Sequence, residues 1–521
     1  MPSDRPGRPE PLPEPLPDPP AEPLREPWLR GIAAHPAAPP DVLVRLLDPA
    51  AREVWTVLCE ERDLPPAVVD AVLAHPERAV RRAFARNPHV DPAQRGRLVR
   101  DPDSLVRASL AGGSRVRSGR IRPLPDEVIE ALLTARNDPA LNTHVTANEI
   151  CWELEASQQI PLSFRRRLPE HANPELRAYG IRSGGWDRLT REQQKALLAD
   201  PDPTVREAAQ EAAHRASRDL DPEALAAELP EQNGHHRQHL LMNLPVSRAV
   251  VEACLAEGRN LYELAYNRRT PADAVARLAR DPDPEVRAAV AARADIGPAL
   301  LEELAEDPDE KVRRRARIHP LPRTWAQRDV LDHAVFHSFG CACAFVDAHA
   351  EQESGWYTDC ARSEHEDLRR IAATYRLLPA EPAALLAEDP AADVRHALAA
   401  HHPLAPPALV LDAFLARPWQ RPHLLALPNL PRTGLGHLLG HEDPEVRALA
   451  AADVTADEPP VRLLSDPEAL VRRAAAASPL LPAELLAELL EDPATAEGAA
   501  ANPGLPAARL HELLDRLGVP G

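Results

Sequence analysis

Apolar residues along this chain come in short bursts, and the bursts recur. In PAELLAELLEDP (482–493) and GPALLEELAEDP (297–308) the leucines fall three and four apart, which predicts one apolar stripe along a short helix. Ahead of each such piece lies a burst of small residues, as in VRRAFAR (80–86) or VRRAAAA (471–477). A branched or bulky residue anchors each one. Trp28, Val54, Val80 and Val106 lie 26 apart, Val286 and Val312 repeat that interval, and so do Leu368 and Val394. Val446 and Val471 are 25 apart. About seven residues after the anchor comes a second mark: His35-Pro36, Asn87-Pro88, His319-Pro320 and Ser478-Pro479. Repetition at a fixed period between 20 and 50 residues predicts a stacked array of units, of which about sixteen fit in the chain.

Each unit has one internal grammar. Asp before Pro reads as a helix start, with the carboxylate capping free N–H groups and proline taking the first helical position. The Asn/His/Ser-Pro pair reads as a stop, because proline disfavours helix in the residue before it. Neither helix of a unit stands alone, since isolated helices shorter than about 12–15 residues are marginal in water. Stacked on the next unit, each stripe becomes one layer of a continuous core. The expected fold is an all-α superhelical solenoid of two-helix repeats held by nearest-neighbour contacts.

The pattern DP-x-x-x-VR-x-x-[VAF]-A-x-[NHS]-P-x-x-P-x-x-L-L-x-x-L-x-x-DP resembles the leucine-rich repeat variant, a bacterial repeat similar in look to HEAT repeats. The resemblance implies a right-handed superhelix in which an α-helix alternates with a shorter 3-10 helix. It is strong at 28–110, 270–320 and 380–517, and weak from about 140 to 260. A four-iron cluster known in that family sits on cysteines ahead of the repeats. The first cysteine here is Cys59, so that feature does not carry over.

Composition changes this picture little. Of the residues, 44% are hydrophobic but only 3% aromatic, so the core is Ala, Leu and Val. A formal charge of −19 repels nucleic acid and anionic lipid at long range. Six cysteines in 521 residues make no disulfide framework. No apolar run approaches the roughly 20 residues needed to span a bilayer. With no hydrophobic leader at the amino terminus, a cytoplasmic setting is expected. Residues 1–27 hold eleven prolines and read as a disordered tail. The expected organisation is an array over 28–320, an irregular unit over 321–367 and a second array over 368–521.

Regular units explain stability, so function is sought where the period fails. From Val106 to Val145 the interval is 39, and the surplus matches a Gly/Ser-rich loop, 111–123, carrying Arg115, Arg117, Arg120 and Arg122. Between Arg78 and Arg122 twelve arginines face three acids, which offers an anion site or simply a solvated loop that offsets acidic neighbours. The second break holds Cys341, Cys343 and Cys360, with His365 close by, a ligand set for zinc or part of an iron–sulfur cluster. Cys-x-Cys followed after sixteen intervening residues by one Cys is an unusual spacing for either, and buried or loop cysteines are the alternative. Cys59, Cys151 and Cys254 sit singly in helical text, as core fillers do. A further set, Arg81, Arg107, Arg206, Arg287, Arg313, Arg395, Arg447 and Arg472, recurs once per unit. Asp283 and Arg287 are four apart, so such arginines pair within a unit or with the next one.

No Gly-rich phosphate loop, metalloprotease motif or nucleophile elbow is present. The expectation is a non-enzymatic scaffold with a protein partner and no cofactor. A zinc, iron–sulfur or redox role for the cysteine insert is the first alternative. Nucleic-acid binding through the 111–123 loop is the second, with charge and the scarcity of aromatics against it.

Overall fold

The structure is a computed structural model that describes residues 22–114, 122–137, 145–157, 159–186, 189–218, 221–318, 322–336 and 343–521. Among them the secondary structure is helical, with no strand. Packing divides them into two units. One gathers the residues up to Gln159 with Pro431–Gly521, and the other is Ile160–Leu430.

Both units are α-solenoid stacks in which consecutive repeats touch. In the first, helices Trp55–Glu60, Arg78–Ala85, Ser104–Gly112 and Ala147–Ala156 lie each against the next. In the second, Leu261–Tyr266, Pro284–Ala291 and Glu310–Arg317 do the same. The anchors that set the period are the centre of the core: Trp28, Val54, Val80, Val106, Val312, Val394, Val446 and Val471 are all fully buried. The outer piece varies. It is α-helical in Pro298–Ala305 and Ala380–Ala387 but 3-10 in Arg97–Arg100, Gly436–Leu438 and Val461–Ser465.

The Asp-Pro pairs divide into two kinds. Asp91, Asp221, Asp283 and Asp443 each stand at the N-cap with Pro next, and each carboxylate accepts a backbone N–H two residues on. Asp101, Asp200, Asp307, Asp389 and Asp466 stand further ahead of the helix. One oxygen of each also accepts the N–H two residues on. Both oxygens receive a bidentate guanidinium from the preceding repeat: Arg81, Arg177, Arg287, Arg369 and Arg447 respectively. Arg287 shows the full arrangement. Its Nε and Nη2 lie 2.7 and 2.9 Å from Asp307, while Nη1 donates to the carbonyls of Asp281 and Pro282. The pairing therefore runs to the next unit. Asp283, four residues away, is occupied as the cap.

A second ladder runs backward. At the stop position a buried polar side chain donates to the carbonyls that end the preceding repeat. Asn87 reaches Cys59 and Arg62, Asn267 reaches Leu241 and Leu244, and Asn502 reaches Ala476 and Ser478. Other residue types take the same duty: Gln159 bonds Leu110 and Ala111, Arg293 bonds Ala265 and Asn267, and His402 meets Leu378. Buried carbonyls left without donors cost about 1–3 kcal/mol each, which is why this position stays polar while its identity drifts. The ladders continue where the motif fades. Within the second unit, Arg177–Asp200 and Asn267–Leu241 have the geometry of the strong repeats.

In the first unit the first and last described repeats are neighbours. Helix Glu22–Ala34 packs on Ala496–Ala500. Trp28 is fully buried, donates from Nε1 to the Leu490 carbonyl at 2.7 Å and lies under the Arg516 guanidinium. Arg45 bonds Asp515 and the Pro520 carbonyl, and Arg25 bonds the Leu517 carbonyl. The contact is close because of glycine: a Cβ on Gly31 would meet the Glu497 oxygen at 2.3 Å and the Ala500 Cβ at 2.5 Å. His35, a stop residue of the first repeat, is 1% exposed and faces the Asn502 and Leu505 carbonyls of the last one. The first repeat thus docks on the last as a following repeat would.

This docking also revises the tail. Leu24 is buried and Arg25 is tied to Glu53, so residues 22–27 are helical, although read from their prolines as disordered. Residues 1–21 lie outside the described residues.

Candidate functional site

The structure uses the regular arginines structurally. Each of Arg206, Arg313, Arg395 and Arg472 donates Nη1 to the two carbonyls of an Asp-Pro pair in its own repeat. The basic stretch is similarly engaged. Arg81 pairs with Asp101, Arg97 with Asp70 and Arg78 with Asp103. Arg95 is buried, which pulls its pKa down to about 10, and it donates to the Ala85 carbonyl. Of the four loop arginines, Arg115, Arg117 and Arg120 lie outside the described residues. Arg122 is exposed, but its Nη2 donates to the carbonyls of Pro88, His89 and Val90, so it pins the turn of the preceding repeat. Phe84, the one aromatic nearby, is fully buried.

In the second break, Cys341 lies outside the described residues, and Cys343 opens helix Cys343–Ala361 with its side chain outside the description. Cys360 is 2% exposed, and burial pushes its thiol pKa up, away from thiolate chemistry. His365 is half-buried at the N-cap of Glu366–Thr374, its backbone N–H donating to Ser363. Among the described residues no group of three or more His, Cys, Asp or Glu is placed to hold a metal ion. Cys59 and Cys254 are buried and Cys151 half-buried, and all three thiols are pushed up by burial, Cys59 to about 12.

The same irregular stretch contributes something else. Helix Trp325–Leu331 and the turn that follows place charged residues beside the repeat that ends at Asn267. Together they line a cavity of about 520 Å³, with Tyr266, Arg268, Arg269, Arg328, Asp329 and Asp332 in its wall. The charges alternate in a chain. Arg268 pairs with Asp329. Arg328 Nη1 lies 3.2 Å from Asp329, and its Nε lies 3.1 Å from Asp332. Arg315 closes the chain on Asp332 at 3.0 Å. Arg328, Asp332 and Arg315 are buried, while Arg268 and Arg269 are exposed at the rim. The Arg328 guanidinium lies 3.5 Å from the Tyr266 ring centre, a close cation–π contact. Burial raises the Tyr266 hydroxyl pKa, which keeps it a neutral donor. Sequence reading missed this site because its halves lie some 60 residues apart and match no motif. The available signal was the Arg328/Asp332 spacing, four apart on a helix, inside a unit already marked by its broken period.

The surface carries one further concentration. Among the described residues, the large apolar side chains left exposed include Leu377, Leu385, Leu404, Trp419 and Leu425, all within three successive repeats of the second unit. Leu377 and Trp419 are 75% and 73% exposed. No helix among the described residues is long and apolar enough to cross a membrane.

Repeats of two helices, stitched forward by Arg–Asp pairs and backward by buried amides and imidazoles, define a helical repeat protein. Residues 284–309 match the family model of the leucine rich repeat variant. The crystal structure of an engineered protein from the Northeast Structural Genomics Consortium is similar at 16% identity, over 88% of this chain and 97% of that one, with a TM-score of 0.14. No curated protein matches the chain.

Proposed function

We propose that the protein is a non-enzymatic scaffold that binds a protein partner through the exposed apolar residues of repeats 377–425. The carrying observation is the concentration of Leu377, Leu385, Leu404, Trp419 and Leu425 at successive repeats. Leu377 and Leu404 hold the same place in adjacent repeats, and solvated apolar side chains gain by about 25 cal/mol per Å² when a partner covers them. The engagement of the periodic arginines, asparagines and histidines in the two ladders supports a non-catalytic role for them. The test compares the wild type with a Leu377→Asp, Leu404→Asp, Trp419→Asp variant in affinity capture from the native cell extract. A partner recovered by the wild type and lost by the variant supports the proposal. Equal recovery by both, or none by either across salt conditions, would overturn it.

A further inference from the structure

From the cavity beside helix Trp325–Leu331 we infer a second binding site, one that takes a small dianion carrying a phosphoryl group or two carboxylates. The inference is independent of the protein-binding residues and rests on charge and volume. Three guanidinium groups, Arg268, Arg269 and Arg328, line the cavity against two carboxylates, Asp329 and Asp332. A fourth guanidinium, Arg315, stands directly behind Asp332. Both carboxylates are shared between two arginines each, so the group carries two positive charges more than negative ones.

That excess sits at the rim, on the exposed Arg268 and Arg269, above the buried Arg328 and Arg315. Arg328 is 2% exposed, and among the described residues its Nε, although close to Asp332, has no aligned hydrogen-bond acceptor. The Arg–Asp ladder gives a guanidinium a whole carboxylate of its own, as Arg287 has in Asp307. Here the carboxylates are divided, and the space next to them is open. A volume of about 520 Å³ falls within the roughly 300–1,000 Å³ typical of small-molecule sites. Positive charge at the rim, on Arg268 and Arg269, draws an anion in, and the buried Arg328 receives it with its planar donors. The Tyr266 hydroxyl adds a neutral donor from the same wall. Arg269 is anchored by an Nη1 bond to the Asn243 carbonyl, which holds its charge at the mouth.

The experiment is isothermal titration calorimetry and thermal melting of the full chain with inorganic phosphate and with malonate, at constant ionic strength. Saturable binding of either dianion is expected, with a rise in melting temperature. Phosphate alone would identify a phosphoryl ligand, malonate alone a dicarboxylate. Arg328→Met risks the fold, so the decisive variants sit on more accessible positions. Arg269→Gln should weaken binding by about tenfold, and Asp329→Asn should strengthen it by about as much, because the first removes attraction and the second removes repulsion. A purely structural network would give no such opposite signs. Absence of saturable binding by both dianions, or affinity unchanged in both variants, would overturn the inference.

Discussion

Arginine and aspartate do opposite work in two neighbouring regions of the second unit. In the regular repeat, Arg287 has the whole of Asp307 and two backbone carbonyls, and every nitrogen of the fork is bonded. Forty residues on, Arg328 shares Asp329 with Arg268 and Asp332 with Arg315, beside an open cavity. The first arrangement locks one repeat to the next. The second leaves positive charge at a concave surface. The difference teaches that the residue type does not decide whether a buried ion pair is glue or site; the ratio of charges and the packing around them do.

The contrast breaks most visibly at the ladder. Asp307→Ala would strand Arg287 and free the Asp309 N–H, and a loss of about 3–5 kcal/mol is expected, read as a lowered thermal midpoint. Asp329→Asn, at the half-exposed cavity wall, should cost far less. Equal losses would erase the distinction between the two regions.

The first and last described repeats extend the comparison to a junction that no peptide linkage enforces. Gly31→Val should push a side chain into the Glu497 carbonyl and cost about 1–3 kcal/mol. Hydrogen exchange should then rise in helices Ala496–Ala500 and Ala507–Arg516 while the Arg81–Asp101 ladder stays protected. Unchanged exchange at both helices would mean that the end-to-end contact contributes nothing to their stability.

A smaller effect, of opposite sign, is expected at Arg323. It is buried, its Nε and Nη2 find no partner among the described residues, and desolvation pulls its pKa down to about 10. Arg323→Met should raise stability by about 1 kcal/mol, since an uncompensated buried charge costs more than a hydrophobic side chain of similar length. A lowered midpoint would show that this cation is held by something the ladder logic lacks.

The smallest change near neutral pH concerns His401. Burial lowers its pKa from 6.5 to about 4, with His423 and Arg376 adding repulsion. Between those values the unfolded chain binds a proton that the folded chain refuses. Stability is therefore lost as pH falls from about 6.5 toward 4, and is fully present above that window. His401→Asn should flatten the dependence; a profile identical to wild type would assign it to other groups.

Much of this was legible along the chain. The period, the short helices, the stops and the buried anchors followed from Val80, Val106, Asn87 and their equivalents, because apolar spacing and proline act locally. The once-per-unit arginines were visible too, though the alternative of pairing with Asp283 stayed open until Asp307 was seen across the interface. The cavity was not legible. Its break in period is visible, but the conspicuous residue types there are Cys341, Cys343 and Cys360, while Arg328 and Asp332 look like every other charge in the repeat.

The sequence by itself determined the repeating unit and its means of stacking, since helix periodicity, caps and stops are written within a few residues of one another. Only the tertiary structure decided that the first repeat seats on the last, that Gln159 and Arg293 do the work of asparagine, and that one set of arginines surrounds open space. Those outcomes depend on which side chains meet across tens to hundreds of residues, and burial and charge balance at such meetings have no local signature.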